Sequence, residues 1–114
     1  MAIYIEEIGR GVLIRPRGAL LGGKINMDLH EEVRRQLRAG RNRVAISLRS
    51  VPWLNSSGIG TLLGCANECA ESGGELLLTK ANERIQDLLS SLDLLDRLPM
   101  MHKEDRVRAW LEQS

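Results

Sequence analysis

Two adjacent hydroxyl groups, those of Ser56 and Ser57, are the side chains of this chain best placed for chemistry. They belong to the turn-forming run Asn-Ser-Ser-Gly, which separates a strand-like stretch from an apolar helical stretch. This arrangement predicts that both hydroxyls lie at a helix N-terminus and face solvent. There at least one of Asn55, Ser56 and Ser57 is expected to cap the helix, because their side-chain oxygens accept free backbone N–H groups. A phosphate there would meet unpaired N–H groups and the positive end of the helix dipole.

A site of this kind suits a phosphorylation switch. A phosphate on Ser56 adds about 1.5 to 2 negative charges at neutral pH, and the helix N-terminus would stabilise them. A partner pressed against the same surface would meet that charge, so binding can change while the fold stays intact. A change of about 3 kcal/mol is sufficient to shift affinity more than a hundredfold.

Apolar spacing predicts alternating strands and helices around this loop. The predicted strands are Ile3–Ile8, Val12–Arg15, Val44–Leu48, Leu76–Leu78 and a short Leu98–Met100. The predicted helices are Asn26–Ala39, starting near Asn26 or Asp28, then Ile59–Ala70, Ile85–Leu92 and Val107–Leu111. This order predicts an α/β fold with one mixed, mainly parallel sheet of four to five strands, about four helices and an antiparallel opening hairpin.

The stretch Asn55–Gly60, Asn-Ser-Ser-Gly-Ile-Gly, resembles the signature of STAS domains. It is particularly similar to that of the bacterial anti-sigma-factor antagonists, where it typically reads Asp-Ser-Ser-Gly-Leu/Ile-Gly. The predicted order of elements matches the STAS fold over essentially the whole chain. The resemblance implies one STAS domain over residues 1–114 that regulates by binding and is not an enzyme.

In the resembled family the unmodified antagonist binds a serine kinase that is also an anti-sigma factor, and so frees the sigma factor. This partner is of the histidine-kinase-like ATPase type. The phosphorylated antagonist lets go, and a serine phosphatase resets it. The resemblance therefore implies these two proteins as partners, and implies no cofactor and no metal.

Carried over by position, the phosphoacceptor is Ser56, with Ser57 as second choice. The implied partner-binding residues are Leu21, Gly22, Asn55, Ser56, Ser57, Gly58 and Ile59. The family usually carries an acid at two of these positions, where this chain has Asn55 and Leu21. A constitutive STAS interaction module of a transport or sensory complex, with no phosphate cycle, is the alternative function. A nucleotide-binding domain is a weaker alternative.

Two glycine-rich stretches carry that weaker alternative. Gly18–Ile25 nearly matches G-x-x-x-x-G-K-[ST], but Ile25 has no hydroxyl to bind magnesium. The spacing of Gly58, Gly60 and Gly64 resembles a dinucleotide fingerprint, but the next strand lacks the acid that the ribose needs. We instead expect Gly58 to permit the turn, and the other two to let the helix approach the sheet.

Charge and composition restrict the classes of partner. A net charge of +1 gives no attraction to nucleic acid or membrane, and three aromatic residues provide no stacking platform. The first residues do not form a signal peptide and no apolar run could span a membrane, so we expect a cytoplasmic protein. The basic cluster Arg34–Arg43 is expected to be a solvated helix face, with a docking surface for an acidic partner as the alternative.

The two cysteines, Cys65 and Cys69, lie four residues apart in the apolar helix. We expect both to pack in the core, since small buried thiols are common there. Neighbours on one helical turn are poorly placed for a disulfide. The two histidines are isolated in sequence, so no zinc site is predicted.

Overall fold

Four strands and four helices form the part of the chain that the computed structural model describes, residues 3–113. The strands are β1 (Ile3–Ile8), β2 (Gly11–Pro16), β3 (Arg43–Ser47) and β4 (Glu75–Thr79). The helices are α1 (Lys24–Arg38), α2 (Ser56–Glu71), α3 (Glu83–Ser91) and α4 (Glu104–Glu112). Every predicted helix is present, and each predicted strand except the last forms a regular strand.

The strands make one sheet in the order β1-β2-β3-β4. The opening hairpin is antiparallel, with Ile8 opposite Gly11, and the other two pairs are parallel. Helix α1 connects β2 to β3, and α2 connects β3 to β4, as parallel neighbours require a crossover. The predicted mixed, mainly parallel sheet is confirmed.

The predicted last strand, Leu98–Met100, is reduced to a single parallel bridge between Met100 and Leu78. The Leu78 N–H donates to the Pro99 carbonyl at 2.8 Å, and the Met101 N–H donates back to Leu78 at 2.9 Å. Proline has no N–H to donate, so a ladder cannot run through this segment. Pro16 is the last residue of β2, which lies between β1 and β3 in the sheet.

Helix α1 begins earlier than predicted, at Lys24 and not at Asn26 or Asp28. Its N-cap is Gly23, whose φ of 75° is in the left-handed region that favours glycine. Asn26 is buried, and its side-chain amide donates to the Thr61 hydroxyl of α2 at 3.2 Å. The asparagine therefore joins two helices, which the local sequence did not reveal.

Alternation along the strands gives the sheet two apolar faces. The larger layer packs α1, α2 and α3 against one face, and it includes Val12, Ile14, Val44, Ile46, Leu76 and Leu78. Helix α4 covers the other face, where Val107 and Leu111 pack with Ile8, Leu13, Ala45 and Leu77. Within residues 3–113 no helix is both long enough and apolar enough to cross a bilayer.

The expectation that both cysteines pack in the core is confirmed. Cys65 and Cys69 are free thiols and fully buried on α2. Burial raises the pKa of each thiol to about 12. Neither thiol is therefore a nucleophile in the folded protein at neutral pH.

Candidate functional site

Asn55 is the N-cap of α2, so neither serine is needed as the cap. Its side-chain oxygen accepts the Gly58 N–H at 3.1 Å, and its carbonyl accepts the Ile59 N–H at 2.9 Å. Ser56 is the first residue of the helix. Ser56 and Ser57 are both exposed, and within residues 3–113 neither hydroxyl makes a hydrogen bond.

The same asparagine ties the serine loop to the loop between β2 and α1. Its side-chain amide donates to the Leu21 carbonyl at 3.2 Å, and its backbone N–H donates to the Leu20 carbonyl at 3.3 Å. A parallel bridge between Leu20 and Leu54 continues this pairing. Two segments more than thirty residues apart in sequence therefore form one surface.

Two glycines allow this close approach. Gly22 has a φ of 109°, and a Cβ at this position would contact Ser57 Cβ at 3.7 Å. A Cβ at Gly58 would lie 2.9 Å from the Cβ atoms of Leu20 and Leu54, and closer still to the Leu20 carbonyl oxygen. Packing between the loops thus requires glycine at residue 58. Its φ is not positive, so the turn itself does not require glycine, contrary to expectation.

The other two helix glycines do not approach the sheet, contrary to expectation. A Cβ at Gly64 would face the His30 ring of α1 at 3.1 Å, so this glycine serves the contact between the two helices. Gly60 is exposed, and a Cβ there would meet no atom within 4 Å. These glycines therefore do not form a nucleotide loop.

The predicted partner-binding residues come together, but they differ in exposure. Leu21, Asn55, Ser56 and Ser57 are exposed, Leu21 by 53%. We call these four and the half-buried Gly22 the serine surface. Gly58 and Ile59 are buried, with Ile59 only 9% exposed, so they support this surface from beneath and offer a partner little contact.

Met27 is an exposed apolar residue that sequence reasoning missed. It is 71% exposed, and it follows Asn26, whose amide reaches α2 one turn beyond Ser57. The available signal was its position off the apolar stripe of α1. Exposed methionine and leucine side chains are typical of surfaces that bind protein partners.

A polar seam joins α1 to α2 beyond this point. His30 Nε2 and Arg34 Nε lie 2.9 Å and 2.8 Å from the two carboxylate oxygens of Glu68. Burial raises the pKa of Glu68, but hydrogen bonds and charge from Arg34 and His30 outweigh it and leave the pKa below its usual value. The seam fixes the two helices that carry the serine surface and Met27.

The basic cluster is occupied by local partners. Four of its arginines pair with carboxylates at 2.6 to 3.1 Å, namely Arg34 with Glu68, Arg35 with Glu32, Arg38 with Glu31 and Arg41 with Glu7. Arg43 donates to the Trp110 carbonyl at 2.8 Å. This pairing favours the interpretation as a solvated helix face over that of a docking surface.

The region resembling a phosphate-binding loop does not form one. Lys24 pairs with Asp28 at 2.8 Å on the surface of α1, and Ile25 packs against the core. Among residues 3–113 no group of three or more His, Cys, Asp or Glu side chains is arranged to hold a metal ion.

Comparison with known proteins places this geometry in a family. The family model described as STAS domain matches residues 2–107. The anti-sigma F factor antagonist of Paenibacillus polymyxa is 29% identical over 118 aligned positions, which cover 98% of this chain and 97% of that protein.

Two solved structures share the fold. A protein of Thermotoga maritima assigned to the anti-sigma factor antagonists superposes with a TM-score of 0.85 at 18% identity, covering 96% of this chain and 93% of its own. The Bacillus cell fate determinant SpoIIAA in its phosphorylated form gives 0.76 at 18% identity, covering 96% and 99%. With the four-stranded mixed sheet and the family match together, the chain belongs to the STAS domain family.

Proposed function

We propose that this protein is an anti-sigma-factor antagonist whose binding is switched by phosphorylation of Ser56. The observation that carries the proposal is that Asn55 and Ser56 have different roles in the serine loop. Asn55 supplies the helix cap, while the Ser56 hydroxyl is exposed and free of hydrogen bonds within residues 3–113. A kinase can therefore reach Ser56 without first breaking a structural contact.

The fold should tolerate a phosphate at this position. The first N–H groups of a helix have no intrahelical acceptor. Asn55 accepts those of Gly58 and Ile59, which leaves the N–H groups of Ser56 and Ser57 to meet an anion. The first turn of α2 contains no acidic residue to repel it. Phosphorylation thus changes the charge of the surface and leaves the core untouched.

A partner on the serine surface would respond strongly to that charge. Leu21 is an exposed apolar side chain next to the uncharged Asn55 and serines, and Met27 is a second exposed apolar side chain, on α1. A doubly charged group introduced beside buried apolar contacts must be desolvated before the partner can close on it. We expect binding to weaken by at least a hundredfold on phosphorylation.

The proposed partner is a serine kinase of the histidine-kinase-like ATPase type that also acts as an anti-sigma factor, with a serine phosphatase as the resetting enzyme. Support comes from the relatives, which are named as anti-sigma factor antagonists, one of them in a phosphorylated form. In this role the protein acts by binding in the cytoplasm, and the catalysis belongs to its partners.

Phosphoryl transfer is the first test. The purified protein is incubated with magnesium ATP and a lysate of its source cells, and mass spectrometry locates any added phosphate. We expect modification at Ser56 that is lost in Ser56→Ala and kept in the matched control Ser57→Ala. The proposal is overturned if wild type and Ser56→Ala are modified alike.

Partner release is the second test. Proteins captured by the unmodified protein should dissociate from the phosphorylated one, and Leu21→Ser should weaken capture without affecting the fold. Exposed apolar Leu21 and uncharged Asn55, at positions where acids are usual, favour a constitutive interaction module as the second candidate. If the protein captures a partner, is not phosphorylated itself, and binds the partner equally well with and without ATP, the result would favour the constitutive module.

A further inference from the structure

A small cavity lies at the carboxyl ends of the three parallel strands, on the face of the sheet that α4 covers. Its volume is about 20 Å³. Arg15, Ser47 and Thr79 reach it from the strand ends, Arg49 and Lys80 follow those ends, and Glu104 and Arg108 approach from α4. The serine loop precedes α2, which packs on the other face.

Hydrogen-bond donors without partners converge on the cavity. Thr79 is 4% exposed, and its hydroxyl has no partner among residues 3–113. The Nε of Arg15 has no hydrogen-bond partner there either, although its guanidinium lies over the Tyr4 ring, 4.6 Å from the centroid. Ser47 is 5% exposed, and its oxygen accepts the Arg49 N–H at 3.4 Å, which leaves the hydroxyl proton to donate. Buried polar groups in native proteins normally have partners, so this set points to a ligand.

Positive charge is in excess around the cavity. Arg108 is committed to Glu6 through bonds of 2.8 Å and 3.0 Å, and it lies 3.7 Å from Glu104. Arg49 and Lys80 are exposed at the mouth, and within residues 3–113 neither forms an ion pair. The unbalanced cations make an anion the ligand of choice.

We propose that this cation cavity binds a tetrahedral oxyanion of the phosphate type. The volume suits one oxygen atom, since about 10 to 15 Å³ of such space admits one water. That oxygen accepts from the hydroxyls of Thr79 and Ser47. The remaining oxygens stay at the mouth, where Arg49 and Lys80 supply charge-assisted hydrogen bonds. The site does not depend on Ser56 or on its modification.

A phosphate titration followed by amide chemical shifts tests this proposal. Sodium phosphate replaces sodium chloride at constant ionic strength. We expect saturable shifts centred on residues 47–49 and 79–80. Lys80→Gln and Arg49→Gln should each weaken binding at least tenfold, and Thr79→Val should weaken it by a similar factor. Glu104→Gln should strengthen binding, because it removes a negative charge from the lining of the cavity.

Arg38→Gln on α1 is the matched control, because it removes the same charge from an exposed arginine on the other layer. Shifts that grow linearly without saturation would overturn the proposal, as would equal weakening in Arg38→Gln. If Thr79→Val does not fold, the exposed Lys80→Gln and Arg49→Gln still decide. A parallel titration with glycerol 3-phosphate separates a free phosphate ion from an esterified one. Binding of either supports the site, and binding of neither refutes it.

Discussion

Replacing Gly58 with alanine should destabilise the protein, whereas the same change at Gly60 should stabilise it. The two residues lie two positions apart on α2, but Gly58 is buried and Gly60 is exposed. At Gly60 the new methyl meets no atom within 4 Å. Glycine in a helix costs about 1 kcal/mol relative to alanine, so Gly60→Ala should gain up to that amount.

At Gly58 the new methyl would lie 2.9 Å from the Cβ atoms of Leu20 and Leu54 and would also press on the Leu20 carbonyl. That carbonyl accepts the Asn55 N–H, so it cannot yield without parting the two loops. Overpacking of this kind costs about 1 to 3 kcal/mol. Because the clash includes a backbone oxygen, the cost should lie at the upper end of that range, about 3 kcal/mol. After the gain in helix propensity of about 1 kcal/mol, we expect a net loss of about 2 kcal/mol.

Equilibrium unfolding in urea measures both changes. With an unchanged slope, the midpoint should fall for Gly58→Ala and rise for Gly60→Ala, with about 3 kcal/mol between the two variants. If Gly58→Ala unfolds at the same urea concentration as wild type or a higher one, the loops are not packed against this glycine. The account of how the serine surface is assembled would then be wrong.

Three further outcomes are expected. Asn55→Ala should lose about 1 to 2 kcal/mol in urea unfolding, because it removes a cap and a link between loops, and a loss within error would contradict the cap. Cys65 and Cys69 should resist a thiol reagent at pH 8 until the protein unfolds, and rapid native labelling would disprove their burial. The hydrogen bond from Arg108 lowers the pKa of Glu6 below 4.5. This pair therefore stabilises above that pH and is lost as pH falls further, so Glu6→Gln should flatten the acid limb of a stability profile.

The order and type of elements could be predicted because local periodicity determines them. Alternation in Val44–Leu48 and the helical spacing from Ile59 both report burial that the fold confirms. The helix start in the serine loop could be predicted equally well, because Asn55 is a preferred N-cap residue and its neighbours favour a turn. These features depend on residues close together in sequence.

Features that depend on distant residues could not be predicted in this way. Asn26 is of a residue type that often caps helices, but its side-chain amide donates to the hydroxyl of Thr61, thirty-five residues away. Helix α1 therefore starts at Lys24 and not at the predicted Asn26. Gly64 likewise faces His30 and not the sheet, because the seam between α1 and α2 is set by their packing.

The cation cavity is the clearest example of tertiary assembly. Its lining residues come from three strand ends and from α4, so no continuous segment reveals it. A signal was nevertheless present. Arg15, Ser47 and Thr79 each stand at the carboxyl end of a predicted parallel strand, and such ends meet at one edge of a sheet.

The position of α4 has a consequence for biosynthesis. Within residues 3–113, one face of the sheet, with Ile8, Leu13, Ala45 and Leu77, is covered mainly by this helix. A nascent chain can pair its strands and pack α1 to α3 as it emerges, but that apolar face stays open until residue 112 has left the ribosome. Late contacts between distant segments are slow to form and expose partly folded chains to aggregation. Translation speed and chaperone access should therefore govern the yield of this protein more than its final stability does.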